Sequence, residues 1–135
     1  MPNMSTNYTV SLEPFAERHY IKNFKKKYRN AWDITWRAVL KEFQNFDVLF
    51  ERNIAETIVD SNPIIICKTE FRIAGTKYSR HGSGNRCIIA LPTRDEPKVV
   101  VLLVYHKNHL TGTGNETVKW KNIVKKNYSD YKSIL

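Results

Sequence analysis

The longest apolar run of the chain, residues 99–105, constrains the fold most strongly. It consists of Val and Leu and ends at Tyr105. A strand with one solvent-facing side alternates polar and apolar residues, whereas an uninterrupted apolar strand needs cover on both faces. We therefore predict a central strand over residues 98–106 with structure packed on each side of it. The run is far too short to span a bilayer, so no membrane association is expected.

The remaining pattern predicts six more elements around this strand. Residues 8–12 alternate as a short first strand, and strands are expected at about 64–74 and 85–91. A helix entered at Pro14 precedes a second helix with a continuous apolar stripe. That stripe consists of Trp32, Thr35, Trp36, Val39, Leu40, Phe43 and Phe46. A last helix is predicted at about 116–128, with Asn115 as its N-cap.

The order of these elements predicts one α+β domain over residues 1–135. We expect a small antiparallel sheet of about four strands, with N-terminal helices packed on one face and a C-terminal helix. The segment 51–61 is ambiguous, because Ile54, Ile58 and Val59 allow one more short helical piece. Cys67 and Cys87 lie inside apolar runs and are interpreted as core residues of a reduced, cytoplasmic protein.

Charge is distributed unevenly along the chain. The net charge is +9; residues 1–62 hold 9 Lys/Arg against 8 Asp/Glu, and residues 63–135 hold 13 against 5. The excess of +8 in the second half favours a nucleic-acid or acidic-protein partner over a merely soluble basic surface. The sequence has no HExxH, P-loop, dinucleotide or Gly-x-Ser-x-Gly motif, so neither a metal nor a cofactor is predicted.

Six basic residues are expected to converge if the later strands are neighbours. They are Arg72, Lys77, Arg80, Arg86, His106 and Lys107. Metal-free RNA cleavage needs a base, an acid and cations beside the phosphate. An imidazole titrates near ~6.5 and can serve as base or acid, while guanidinium groups bind phosphate in bidentate fashion. The sequence therefore permits a nuclease site with His106 as the proton-transfer group and the arginines as the phosphate clamp.

Four segments resemble the RelE/ParE toxin superfamily of bacterial toxin–antitoxin systems. They are the opening strand and helix (residues 8–18), the strand 68–73, the turn leading into residues 85–89, and the stretch 101–107. The resemblance implies a small antiparallel sheet with helices on one face, and many members cut messenger RNA on the ribosome. Its ParE branch instead inhibits DNA gyrase. This chain departs from the compact members through its long second helix and the segment 51–62.

The resemblance also implies roles for individual residues. Arg86 resembles the family's phosphate-binding arginine, and His106 resembles the general acid or base after the last long strand. Lys68, Arg72, Lys77 and Arg80 resemble the cations that line the cleft. Glu70 is a candidate general base only if it shares a face with Arg72. On the last helix, we predict that Lys121 and Lys125 contact RNA phosphate non-specifically, and the catalytic set is Arg86, His106 and Arg72.

The expected function is a cytoplasmic, metal-independent mRNA endoribonuclease toxin acting on the ribosome. The expected partners are ribosome-bound mRNA and a cognate acidic antitoxin that covers the basic cleft or displaces the C-terminal helix. A gyrase-inhibiting toxin and a non-catalytic RNA-binding domain remain as alternatives. The latter predicts a salt dependence of about 0.7 log units per phosphate contact on single strands, with the RNA recovered intact.

Overall fold

A five-stranded sheet forms the centre of the protein. The computed structural model describes residues 7–94 and 96–135. The strands are β1 (Thr9–Leu12), β2 (Glu56–Ser61), β3 (Ile64–Phe71), β4 (Asn85–Pro92) and β5 (Lys98–His106), in the spatial order β1-β5-β4-β3-β2. β1 is parallel to β5, and all other neighbours are antiparallel. The predicted α+β fold class is confirmed.

Helices surround this sheet. The chain is helical from Pro14 to Tyr28, as α1 (Pro14–Ala16), a π-helical turn (Glu17–Ile21) and α2 (Lys22–Tyr28). α3 (Asn30–Gln44) and α4 (Phe46–Glu51) follow, and α5 (Glu116–Asn127) lies near the C-terminus. Short 3-10 helices occupy Lys107–His109 and Ser129–Ile134. As predicted, Asn115 caps α5, because its side-chain oxygen accepts a hydrogen bond of 2.9 Å from the Val118 amide.

Two apolar cores lie on opposite faces of the sheet. On one face, α2, α3 and α4 bury a cluster of aromatic rings that includes Phe24, Trp32 and Phe43. On the other, Trp120 and Val124 of α5 pack against the sheet. The segment 99–105 is buried along its whole length, which confirms the doubly covered strand. Among the described residues, no helix combines the length and apolar content needed to cross a bilayer.

The segment 51–61 does not form the short helical piece that its apolar spacing allowed. α4 ends at Glu51, and Glu56–Ser61 is instead the edge strand β2. The pairing of β2 with β3 shifts between Thr57 and Val59. A bulge of this kind interrupts the alternation of polar and apolar residues by which a strand is identified. Two apolar residues, Ile58 and Val59, are therefore adjacent in the sequence.

The register of β4 and β5 decides which side chains can meet. Asn85 pairs with His106, and Arg86 pairs with Tyr105. Because successive residues of a strand point to opposite faces, these two pairs lie on opposite sides of the sheet. Asn85 and His106 face the side of α2, whereas Arg86 and Tyr105 face the side of α5.

Candidate functional site

A cleft opens where β5 has no strand neighbour. β1 pairs with β5 only as far as Val101, so the second half of β5 borders the helical segment 14–28 instead. The cleft between them has a volume of about 410 Å³. Its polar lining includes His19, Asn23 and Lys27 from the helical segment, Asn85 and His106 from the strand ends, and His109 and Thr111 from the segment that follows β5. Aromatic rings, among them Phe15, Tyr20, Phe24 and Tyr28, form much of the remaining wall.

A second depression continues the cleft beyond Asn85 and His106. It has a volume of about 330 Å³ and extends to the turn 82–84. The two share Lys27, Tyr28, Asn85, His106 and His109. We call these five residues the junction, and the two depressions together the imidazole groove. The groove therefore runs between α2 on one wall and the ends of β4 and β5 on the other.

His106 is held by backbone groups at the junction. Its Nδ1 accepts a hydrogen bond of 3.1 Å from the Asn108 amide, and Gly84 packs against Nε2 so closely that a Cβ there would lie 2.6 Å away. Burial lowers the pKa of His106 below its ordinary value of 6.5, and the charges of His109 and the nearby lysines lower it further. A hydrogen bond to the backbone of Ser83 acts in the opposite direction. The ring is therefore neutral at pH 7, with its proton on Nε2.

The other two histidines of the groove are exposed. The ring of His109 lies 4.9 Å from that of His106, and the ring of His19 lies 4.6 Å from that of Phe15. His19 belongs to the π-helical turn Glu17–Ile21, an irregularity that often occurs at functional sites. Both imidazoles are exposed to a ligand in the groove, whereas that of His106 is half-buried.

Arg86 is a buried structural residue in this fold. It is 2% exposed, and its two terminal nitrogens donate to the carbonyls of Asn85 and His81 at 3.2 and 3.3 Å. The carboxylates of Glu70 and Glu116 lie 3.4 and 3.7 Å from its guanidinium. The arginine thus joins β3, β4 and the first turn of α5, and its guanidinium does not line the groove.

Glu116 also holds the strand end through a tyrosine. The hydroxyl of Tyr105 donates a hydrogen bond of 2.8 Å to Glu116. Burial and this bond raise the pKa of Tyr105, so the phenol stays protonated. The carboxylate of Glu116 is therefore shared between a buried cation and a buried hydroxyl, which fixes the start of α5 against the sheet.

Arg72 and Arg80 lie in a different cleft. This second cleft, of about 620 Å³, is formed by α3, α4 and the end of β3. Arg80 pairs with Glu42, and Arg72 donates to the Thr76 carbonyl at 3.3 Å. Glu70 pairs with Arg86 and with His81, not with Arg72. The predicted clamp of three arginines around one phosphate is therefore not assembled: Arg86 is enclosed, and the other two line a separate surface.

The predicted lysines are also dispersed. Lys107 lines the imidazole groove next to His106. Lys77 is exposed in the turn between β3 and β4, and Lys68 lies half-buried on β3. Lys121 and Lys125 are half-buried on α5 and are not among the residues that line the groove. Of the predicted site residues, the structure brings His106 and Lys107 together in the imidazole groove, and Arg72 and Arg80 together in the second cleft.

Three polar residues on the helical wall of the groove were missed by the sequence analysis. His19, Asn23 and Lys27 follow Phe15 at intervals of four and therefore lie in one row on the helical segment. A polar row beside the apolar stripe Tyr20, Phe24 and Tyr28 was a detectable signal. Its relation to His106, far along the chain, depends on tertiary structure.

The groups present set the chemistry that the groove can support. Within residues 7–94 and 96–135, no three His, Cys, Asp or Glu side chains are grouped so as to hold a metal ion. The groove instead combines imidazoles, two lysines and asparagine amides among aromatic walls. Comparison with protein-family models, curated proteins and solved structures finds no match.

Proposed function

We propose that this protein is an RNA-binding, metal-independent endoribonuclease whose site is the imidazole groove. The observation that carries the proposal is the convergence of His19, His106, His109 and Lys27 in one cleft of a strongly basic chain. Imidazoles exchange protons near neutral pH, and a lysine neutralises phosphate charge. Aromatic walls beside a cationic surface are typical of single-stranded RNA binding.

The reaction that suits these groups is transesterification within the RNA. A base removes the proton of a 2′-hydroxyl, and the freed oxygen attacks the adjacent phosphorus. The bond from phosphorus to the 5′-oxygen breaks, and an acid gives that oxygen a proton. The products are a 2′,3′-cyclic phosphate and a 5′-hydroxyl, so no electron transfer or external reactant is needed.

The accessibility of the imidazoles assigns their roles. His19 and His109 are exposed and serve as the proton-transfer pair. Neutral His106 has Nδ1 occupied by the Asn108 amide and its proton on Nε2, so it positions the ring of His109 instead of acting as the base. Lys27 stabilises the charge that develops on the phosphate oxygens. The catalytic role predicted for His106 is thus transferred to its neighbour in the proposal.

Cleavage of a labelled single-stranded RNA in the presence of EDTA tests this assignment. We expect His19→Gln and His109→Gln each to lower the rate by about 10²–10⁴-fold, the usual contribution of a general acid or base. His81→Gln is the matched control, because His81 is exposed and lies outside the groove lining. The proposal is wrong if the wild-type protein leaves the RNA intact, or if both groove variants cleave at the wild-type rate.

Lys27 offers a separate test of RNA binding. Loss of one phosphate contact reduces the slope of log affinity against log salt by about 0.7 on single strands. We expect this change for Lys27→Ala and none for Lys132→Ala, which removes an exposed lysine from the C-terminal 3-10 helix. Equal slopes for the two variants would contradict a phosphate contact at Lys27.

Binding without cleavage is the second candidate function. The enclosed nitrogens of His106 favour it, because one of the three imidazoles is already committed to the backbone. A binding-only function uses the same groove as the first candidate and predicts the same slope of log affinity against log salt. It differs in leaving the RNA intact while the Lys27→Ala effect persists, so the same two assays separate the candidates.

The resemblance described above supplies the proposed cellular setting: a cytoplasmic toxin that cuts ribosome-bound mRNA and is neutralised by an acidic antitoxin. The second cleft supports an acidic partner, since exposed Ile34 and Val48 lie there beside Lys41, Arg52 and Arg72. Expression in growing cells should arrest translation, and His109→Gln should relieve the arrest. Undiminished arrest by this variant would show that the toxicity does not come from the groove.

A further inference from the structure

Asn85 is a buried amide at the junction of the imidazole groove. The residue is 3% exposed, and it lines the groove on both sides of the junction. Its Oδ1 has no hydrogen-bond partner in the part of the chain that the structure describes. Buried polar side chains are nearly always paired, so an unpaired one at a concave surface indicates a position where a ligand completes the hydrogen bonding.

The backbone fixes this amide in place. Asn85 follows Gly84, whose φ of +79° is favourable for glycine. The backbone amide of Asn85 donates a hydrogen bond of 3.1 Å to the Ser83 hydroxyl. Across the strand pair it faces His106. The amide is thus held on the first residue of a central strand, beside the imidazoles, where a bound group would meet it in a defined orientation.

The wall opposite Asn85 is an aromatic ring with a cation on it. Tyr28 is half-buried, and its ring is stacked against Phe24 with 6.2 Å between the ring centroids. The ammonium of Lys27 lies 5.2 Å from the centroid of the Tyr28 ring. A nucleobase can replace the ammonium over the Tyr28 ring, because stacking then takes the place of the cation–π contact. The displaced Lys27 ammonium can pair with the phosphate of the same nucleotide, so it also exchanges one favourable contact for another.

We infer that the junction is a nucleobase subsite, in which Tyr28 stacks on the base and the Asn85 amide hydrogen-bonds its polar edge. A side-chain amide has a donor and an acceptor side by side, which matches the adjacent donor and acceptor on the edge of a base. The oxygen is buried on a residue that lines the groove, and rotation about the soft χ2 torsion of asparagine would turn it toward a ligand.

This inference rests on the proposed function in one respect: the proposed function identifies the nucleotide that carries the base as part of an RNA. A base held at Asn85 would place its own ribose and phosphate beside Lys27 and the exposed imidazole of His109. The subsite therefore selects which nucleotide is cleaved, and its selectivity is a property of binding that can be measured without any cleavage.

Titration of the wild-type protein with single nucleotides tests the subsite directly. The four nucleoside 3′-monophosphates are compared with ribose 5-phosphate and inorganic phosphate, with NMR shifts as the readout. We expect at least one nucleotide to bind ten times more tightly than ribose 5-phosphate and to shift the Asn85 side-chain amide and the Tyr28 ring. The inference is overturned if no nucleotide binds more tightly than ribose 5-phosphate.

A variant of the same size tests the amide itself. Asn85→Asp removes the donor, so we expect at least a tenfold loss of affinity for the preferred nucleotide and a changed order of preference. Asn122→Asp adds the same charge at an exposed position on α5 and is expected to change neither. If Asn85→Asp does not fold, Tyr28→Leu provides the second variant, with the same expected loss. Unchanged affinity and preference in a folded variant would refute the subsite.

The failure of this inference differs from failure of the proposed function. Tight, base-selective binding by a protein that leaves RNA intact would refute cleavage and keep the subsite. Cleavage with no base preference, equal in wild type and Asn85→Asp, would keep the nuclease and refute the subsite.

Discussion

Replacement of Arg86 by alanine is expected to destabilise the fold. The side chain is 3% exposed, whereas the carboxylates of Glu70 and Glu116 are 23% and 26% exposed and can regain hydration when the cation is removed. The main loss is therefore two charge-assisted hydrogen bonds, to the carbonyls of Asn85 and His81. At about 1.5 kcal/mol for each of these long bonds, Arg86→Ala lowers the free energy of unfolding by about 3 kcal/mol. For a domain of this size, that corresponds to a Tm lower by roughly 10 °C.

Urea denaturation followed by circular dichroism measures this change. Arg72→Ala is the matched control: Arg72 is exposed, and its removal should change the free energy of unfolding by no more than about 0.5 kcal/mol. Arg86→Met retains an unbranched apolar side chain and should lose less stability than Arg86→Ala. A stable Arg86→Ala protein that no longer binds or cleaves RNA would refute the structural assignment and support the phosphate-binding role that the sequence suggested.

Two further predictions concern the end of the sheet. Gly84→Ala forces an L-residue into φ +79°, at a cost of about 1–2 kcal/mol, and places a Cβ against His106 Nε2; thermal denaturation should show a lower Tm, and an unchanged Tm would contradict the described packing. Because folding lowers the pKa of His106, the unfolded chain binds a proton at this residue more readily than the folded protein does. The contribution of neutral His106 to the free energy of unfolding is therefore complete above about pH 6.5 and falls as the pH drops below that value. His106→Gln should flatten this dependence in urea denaturation between pH 5 and 7, and an identical slope in variant and wild type would show that His106 is not its source.

The central strands and the long helix were predictable because local pattern and final environment agree. The uninterrupted apolar run of β5 is buried in the two cores, and Trp32, Val39 and Phe43 of the aromatic stripe are buried between α3 and the sheet. β2 was not predictable, because its bulge removes the alternation by which a half-buried strand is identified. Apolar residues at Ile54 and Ile58 then match a helix as well as a strand.

The site was only partly predictable for a different reason. The sequence suggested that Arg86 and His106 converge, but neighbouring strands in this register place them on opposite faces. The two carboxylates that enclose Arg86 come from β3 and α5, and His19 comes from the helical segment that borders β5. The pairing of Arg86 with each carboxylate, and the position of His19 in the same cleft as His106, bring together residues far apart in the chain. No local pattern specifies them.

The parallel pairing of β1 with β5 has a consequence for biosynthesis. β1 finds its hydrogen-bonding partner only when residues 98–101 have been made, so this pairing is absent while the intervening helices and strands are synthesised. His106 and His109 are encoded after that point as well. A polypeptide that ends before residue 98 would therefore lack both β5, the partner of β1, and two of the three groove histidines, so the pairing and the site are acquired together.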